Sequence, residues 1–216
     1  MNSRISNRKF LIAAICSLAA ILMTVKSVSA NDTFKQSAEL GKRTAKTSDD
    51  IDKFIAQLDK TEQAISSVQE AHGKELKKRF DSFLKELSKL DDGQKHATSD
   101  INEMNSTGAE YFASWDTSIA QMSNPDLKQA SAERRSKVMK DHHDLAGVLS
   151  DLDHELQPFM NNIHDLKTFL ETDLSPANIS KASDMIQRSH TDAQALRDKI
   201  SGVQSTLKQF LSEAPK

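Results

Sequence analysis

The sequence holds a single cysteine, Cys16, only six glycines and four prolines, and few aromatic residues, 5% of the chain. So little glycine and proline cannot supply the many reversals of a sandwich, a barrel or a doubly wound sheet. Cys16 sits inside an N-terminal apolar run, so a chain cleaved behind that run keeps no thiol. Disulfide scaffolding, thiol catalysis and cysteine metal sites are then excluded together. A glycine-rich phosphate loop and a nucleophile elbow are also missing, and with them the commonest sequence marks of an enzyme. What is abundant is Ala, Leu, Lys, Asp, Glu, Gln and Ser, with charged residues at 28%. That composition favours long helices.

The first thirty residues have the three parts of a secretory signal peptide. Arg4, Arg8 and Lys9 form a basic start, Phe10 to Val25 an apolar run, and Val28-Ser29-Ala30 a small-residue end. Sixteen apolar residues fall short of the roughly 20 that a bilayer-spanning helix needs. Cleavage after Ala30 is therefore expected, with an uncleaved anchor as the alternative. Cys16 follows Ile15, where a lipoprotein signal requires a small residue, so lipidation is not expected. Loss of Arg4, Arg8, Lys9 and Lys26 takes the formal charge from −2 to −6. An acidic exported chain is a poor partner for nucleic acid.

Three long stripes then repeat at alternating steps of three and four. One runs Val138, His142, Leu145, Leu149, Leu152, Leu156, Phe159, Ile163, Leu166, Leu170, with His142 its single polar member. Another runs Ile179, Ala182, Ile186, Ser189, Ala193, Leu196, Ile200, Val203, Leu207, Phe210. The longest runs from Leu76 through Phe80, Phe83, Leu87, Leu90, Gln94, Ala97, Ile101, Met104, Gly108, Tyr111, Trp115 and Ser118 to Met122. A sustained average of 3.5 means helices supercoiled on partners. Asn124-Pro125 and Ser175-Pro176 pair an N-cap with a proline in the first turn, and Gly73 suits a break just past a helix end. Asp91-Asp92-Gly93 competes as a turn, but the stripe keeps its phase across it. The sequence thus predicts an all-α, elongated antiparallel four-helix bundle with coiled-coil packing, one domain over 31–216. Its helices are expected near 34–71, 74–122, 125–172 and 176–213, the third kinked at Pro158.

The 34–71 helix carries the weakest stripe, with Gly41, Thr44, Ser48 and Glu62 in phase with Ile51, Ile55, Leu58 and Ile65. Such residues bury little area, so this helix is expected to pack least tightly and to be the exchange point for self-association.

Candidate ligands concentrate around His143, Asp151 and His154, which share a helix face with Gly147; imidazole and carboxylate together suit zinc or copper. Against that, His142 reads as a polar layer in the seam while His143 and His154 are solvated. The expectation is no catalytic residue, no cofactor and no resident metal, these three being the candidates if a metal binds. Two basic clusters, Lys74-Lys77-Lys78-Arg79 and Arg134-Arg135-Lys137-Lys140, read as ion-paired faces, with contact to an anionic membrane surface as the alternative. Tyr111, Phe112 and Trp115 read as a packing layer or as a hot spot for a protein partner.

The half from Tyr111 onward is similar to an exported bacterial helical family designated domain of unknown function 2959. The likeness rests on Phe112 and Trp115, the turn Ser123-Asn124 with Leu127, then Ser131, Glu133, Leu156-x-Pro158, Asp165-Leu166 and Ile179. Members typically read Leu-Lys-His-Asn-Leu-Asn-Ala where this chain has Leu170-Glu171-Thr172-Asp173-Leu174-Ser175-Pro176, and many carry an anchoring cysteine missing here. The resemblance implies the helical architecture and the bacterial envelope, and no site residue comes with it. Together these readings predict a periplasmic structural or protein-interaction role, through a protein partner or self-association. The alternative is a periplasmic metal-binding or envelope-stress sensor module.

Overall fold

A computed structural model describes residues 30–213, with side chains from Asp32 onward. The expected leader, its cleavage position and Cys16 lie outside the described side chains. Among the described residues there are four helices and no strand: α1 Ala30–Glu70, α2 Lys74–Ala120, α3 Pro125–Thr172 and α4 Pro176–Glu213. Their connections are too short to let neighbours run any way but antiparallel. Gln57 of α1 bonds Glu86 of α2 at 2.9 Å, and Trp115 of α2 bonds Ser131 of α3 at 2.9 Å. Glu155 of α3 meets Lys199 of α4 at 2.7 Å, and Gln69 of α1 meets Ser183 of α4 at 3.0 Å. Each helix therefore lies beside its two neighbours in a ring, and the backbones of the diagonal pairs do not approach each other closely. No described helix is long and apolar enough to cross a membrane.

The ends follow local chemistry. Gly73 has φ +57°, the left-handed conformation that glycine adopts without strain, and it separates α1 from α2. Asn124 Oδ1 accepts from the amides of Asp126 at 2.9 Å and Leu127 at 3.1 Å, with Pro125 opening the helix behind it. Ser175 Oγ accepts from the Asn178 amide at 3.3 Å ahead of α4. α2 runs through Asp91-Asp92-Gly93 unbroken, as its phase required, and α3 continues through Pro158, which faces solvent.

Every stripe position expected on α3 and α4 is buried, His142 and Ser189 included. On α2 the stripe is buried from Leu76 to Leu90 and from Met104 to Tyr111, but Gln94, Ala97 and Ile101 in the middle are only half-buried. At the C-terminal end Trp115, Ser118 and Met122 are half-buried too, Ser114 and Ile119 taking the buried places and Met122 lying beyond the helix. On α1 the expected stripe is corrected. The buried series is Ser37, Leu40, Thr44, Thr47, Ile51, Phe54, Leu58, Thr61, Ile65 and Val68. It shares Thr44, Ile51, Leu58 and Ile65 with the expectation, and Glu62 is buried beside Thr61, but Thr47 and Phe54 take the places expected of Ser48 and Ile55, which are half-buried. The expectation of loose packing is corrected with it, since α1 and α2 make the most intimate pair in the bundle. Small side chains in the seam let the two backbones come close. The buried threonines stay satisfied by bonding one turn back: Thr44 to the Leu40 carbonyl (2.9 Å), Thr47 to Arg43 (3.0 Å) and Thr61 to Gln57 (2.9 Å). The bundle is thus a tight α1–α2 hairpin laid against an α3–α4 hairpin.

Candidate functional site

The three candidate ligands of α3 do not converge. His143, Asp151 and His154 are all exposed, and no group of three His, Cys, Asp or Glu side chains able to hold a metal occurs among the described residues. Their neighbour His142 is the polar layer of the seam, 8% exposed. Its ring is gripped edge-on by Phe112 (5.6 Å between centroids) and Phe210 (5.7 Å), and it lies flat against Gly108 of α2. One ring nitrogen donates to the Met104 carbonyl while Nε2 has no partner. Burial holds this imidazole below its ordinary pKa, so it sits in the core uncharged.

The aromatic trio resolves as the packing layer. Tyr111 and Phe112 are buried, Trp115 lies tilted against Tyr111 with ring centroids 5.4 Å apart, and the indole N–H is spent on Ser131. Both basic clusters carry ion pairs along their own helices or to a neighbour, among them Lys77–Asp81 (3.1 Å), Arg135–Asp116 (2.6 Å) and Lys137–Glu213 (2.9 Å).

The most connected polar cluster lies elsewhere, in an open groove between α1 and α4. On α1, Asp59, Glu62 and Ser66 follow at steps of three and four; on α4, His190 and Arg197 are seven apart, so each set lines one helix face. Ser66 Oγ is 3.0 Å from His190 Nε2, and His190 Nδ1 is 2.8 Å from Glu62 Oε1. The other Glu62 oxygen accepts from Arg197, whose guanidinium also holds Asp59 Oδ1 at 2.7 Å. Glu62 is 7% exposed, so its charge depends on these two partners.

Serine, histidine and glutamate in this order have the connectivity of a nucleophilic triad. Two features turn the arrangement to another use. Ser66 sits near the C-terminal end of α1, where the surrounding amides are committed to carbonyls one turn back and no backbone oxyanion hole can form. Its hydroxyl also lies 2.9 Å from the Glu62 carbonyl. A hydroxyl that donates there is not offered to His190 as a proton donor. The cluster behaves as a clamp between the hairpins.

Sequence reasoning placed Glu62 in the apolar stripe and passed over Ser66, His190 and Arg197. The available signal was complementary charge flanking two stripes, which becomes readable only once α1 and α4 are known to be neighbours.

No curated protein and no solved structure matches the chain. A family model does match, over residues 31–214, nearly the whole length that the four helices occupy. The chain belongs to the family described as protein of unknown function (DUF2959).

Proposed function

We propose that the protein is exported to the bacterial periplasm and serves there as an interaction bundle, taking a protein partner or a second copy of itself by parting its two hairpins. Support for export comes from the leader pattern, and from the family match beginning at residue 31, directly after the expected cleavage position. The observation that carries the mode of action is the Glu62–Arg197–His190 clamp. The α1–α4 seam places a buried carboxylate, Glu62, whose cationic partner Arg197 comes from the facing hairpin. Exchanging such polar contacts for water costs far less than exposing an apolar seam of equal length. The two helix pairs that join the hairpins, α1–α4 and α2–α3, are also the two whose backbones approach each other least.

A chemical bridge tests this. The mature chain is expected to have no cysteine, so Ser66→Cys with His190→Cys introduces two thiols facing each other across the seam. The unbridged variant, crosslinked in native envelopes, is expected to capture partner or homodimer bands. Bridging it with a short bis-maleimide is expected to abolish them. A control disulfide within one hairpin, Thr33→Cys with Ser114→Cys (hydroxyls 2.8 Å apart), should leave capture intact. Equal capture by bridged and unbridged protein would overturn the reading.

A further inference from the structure

His142 is the one titratable side chain in the buried stripe of α3, and it lies where three helices meet. Phe112 of α2 and Phe210 of α4 hold its ring from two sides. Its Nε2 has neither a partner nor contact with solvent. That same nitrogen is the ring atom nearest to where a Cβ on Gly108 would stand. A proton added at Nε2 would therefore find no acceptor, and no room for a water to serve as one. A cation buried in this way is costly.

The layer also fastens the end of a helix. Phe210 is the last buried residue of α4, which ends one turn later at Glu213. Beyond it the helix is tied by Lys137 to the Glu213 carboxylate at 2.9 Å and by Arg134 to the Glu213 carbonyl. Phe210 borders a pocket of about 120 Å³ between α3 and α4, lined by Asp141, Asp144, Thr206, Gln209 and Glu213. Lys140 pairs with Asp144 there, while Asp141 Oδ2 has no partner. A single phenyl ring thus borders both a buried imidazole and an acidic pocket.

We propose that His142 is an acid release for the C-terminal end of α4. Neutral, the ring completes the layer with Phe112 and Phe210. Charged, it cannot stay there: the layer opens, Phe210 gives way, and the imidazolium gains water and the carboxylates of the adjoining pocket. The device rests on one layer of the core, so it stands whether or not the two hairpins part.

The groups around the ring leave it the one that responds near neutrality. From α2 it meets Gly108 and Phe112, and burial pushes the neighbouring Tyr111 phenol further up. From α4 it meets Phe210, and Lys137 holds the Glu213 carboxyl down. On α3, Asp141, exposed His143 and Asp144 flank it, while Arg135 lies over the Phe112 ring and pairs with Asp116. At this level α1 turns Ser37, Leu40 and Thr44 inward, and its Glu39 and Arg43 are tied to each other and to Glu103. Burial keeps His142 below the ordinary imidazole range, against the pull of the Met104 carbonyl. The open chain therefore binds the proton more tightly than the closed one. Stability from this layer is full above the ordinary value of about 6.5. It falls as pH drops from there toward the lowered value, and levels off beneath it.

The test is hydrogen exchange of residues 200–210 between pH 8 and 5, corrected for intrinsic rates, in the wild type and His142→Gln. Glutamine keeps a neutral donor and cannot take the charge. Wild-type protection is expected to fall on acidification by up to about tenfold per pH unit, one proton being the limit. In His142→Gln it should be flat. The remaining histidines titrate in both proteins and cancel in the comparison. Identical pH profiles would overturn the proposal. If His142→Gln does not fold, NMR titration of the wild-type imidazole and phenyl rings decides. His142, identified by its contacts with Phe112 and Phe210, should stay neutral to lower pH than the exposed histidines, with the Phe210 signals moving at its midpoint. A His142 that titrates along with the exposed histidines, or a Phe210 that does not respond, refutes the release.

Discussion

Leu149→Asp is expected to unfold the protein outright, while Asp151→Ala two positions away leaves its melting temperature nearly unchanged. Leu149 has no exposed surface and sits on the uninterrupted α3 stripe, enclosed by its own hairpin and by the facing one. A carboxylate there has no cation within the seam. It must either be buried charged or take a proton, and both routes cost several kcal/mol beyond the lost apolar contacts. Set against the roughly 5–15 kcal/mol that holds a domain together, that cost is decisive. Leu152 is a milder site for the same change, because it borders a central cavity and keeps 8% exposure, which lets a carboxylate reach water. Asp151 is exposed on the opposite face, so its removal should stay within about 0.5 kcal/mol. Circular-dichroism melts of the three variants check this ordering. A folded, cooperative Leu149→Asp protein would show the seam assignment to be wrong.

Gly108→Ala is expected to destabilise the bundle even though alanine is the better helix former. A Cβ at Gly108 would lie 2.3 Å from His142 Nε2 and 2.6 Å from Cε1. A long flexible side chain could yield, but the imidazole is held by the rings of Phe112 and Phe210 and by its bond to Met104. Overpacking of this kind costs about 1–3 kcal/mol. The gain in helix propensity returns at most about 1 kcal/mol. The clash should win. In a His142→Ala background the obstacle is gone, so Gly108→Ala should there become stabilising by up to about 1 kcal/mol. Urea titration of the four proteins gives a double-mutant cycle, with an expected coupling of about 2 kcal/mol or more. Additive effects would mean that the glycine and the histidine are not matched in size, and that this layer does not set the α2–α3 register.

Much of the fold was readable because α3 and α4 put strongly apolar residues at nearly every third or fourth position, and the caps at Asn124 and Ser175 are unambiguous. The stripe of α1 was not readable. Thr47 against Ser48 and Phe54 against Ile55 are neighbours that a stripe can take on either side, and periodicity does not choose between them. The small residues that made α1 look weakly held are what allow its backbone to approach α2. Pattern reasoning scores side-chain area, whereas close packing of backbones leaves little trace in it. The candidate site failed for a related reason. His143, Asp151 and His154 share a face of one helix, but a site needs groups from several elements. Glu62, His190 and Arg197 meet only because α1 closes the ring against α4, a handedness that the sequence of a short-looped bundle leaves open. His142 was legible, as the one polar residue in a perfect stripe.

The central claim is that the protein consists of two hairpins which part along a polar seam. Native-state hydrogen exchange of the mature chain, followed by mass spectrometry at rising urea concentration, tests it most directly. The account predicts that α1 and α2 lose protection together, as one cooperative unit, and that α3 and α4 do so as another with a different opening free energy. If α1 instead exchanges alone, well ahead of α2, the tight hairpin is not a unit and the account is contradicted.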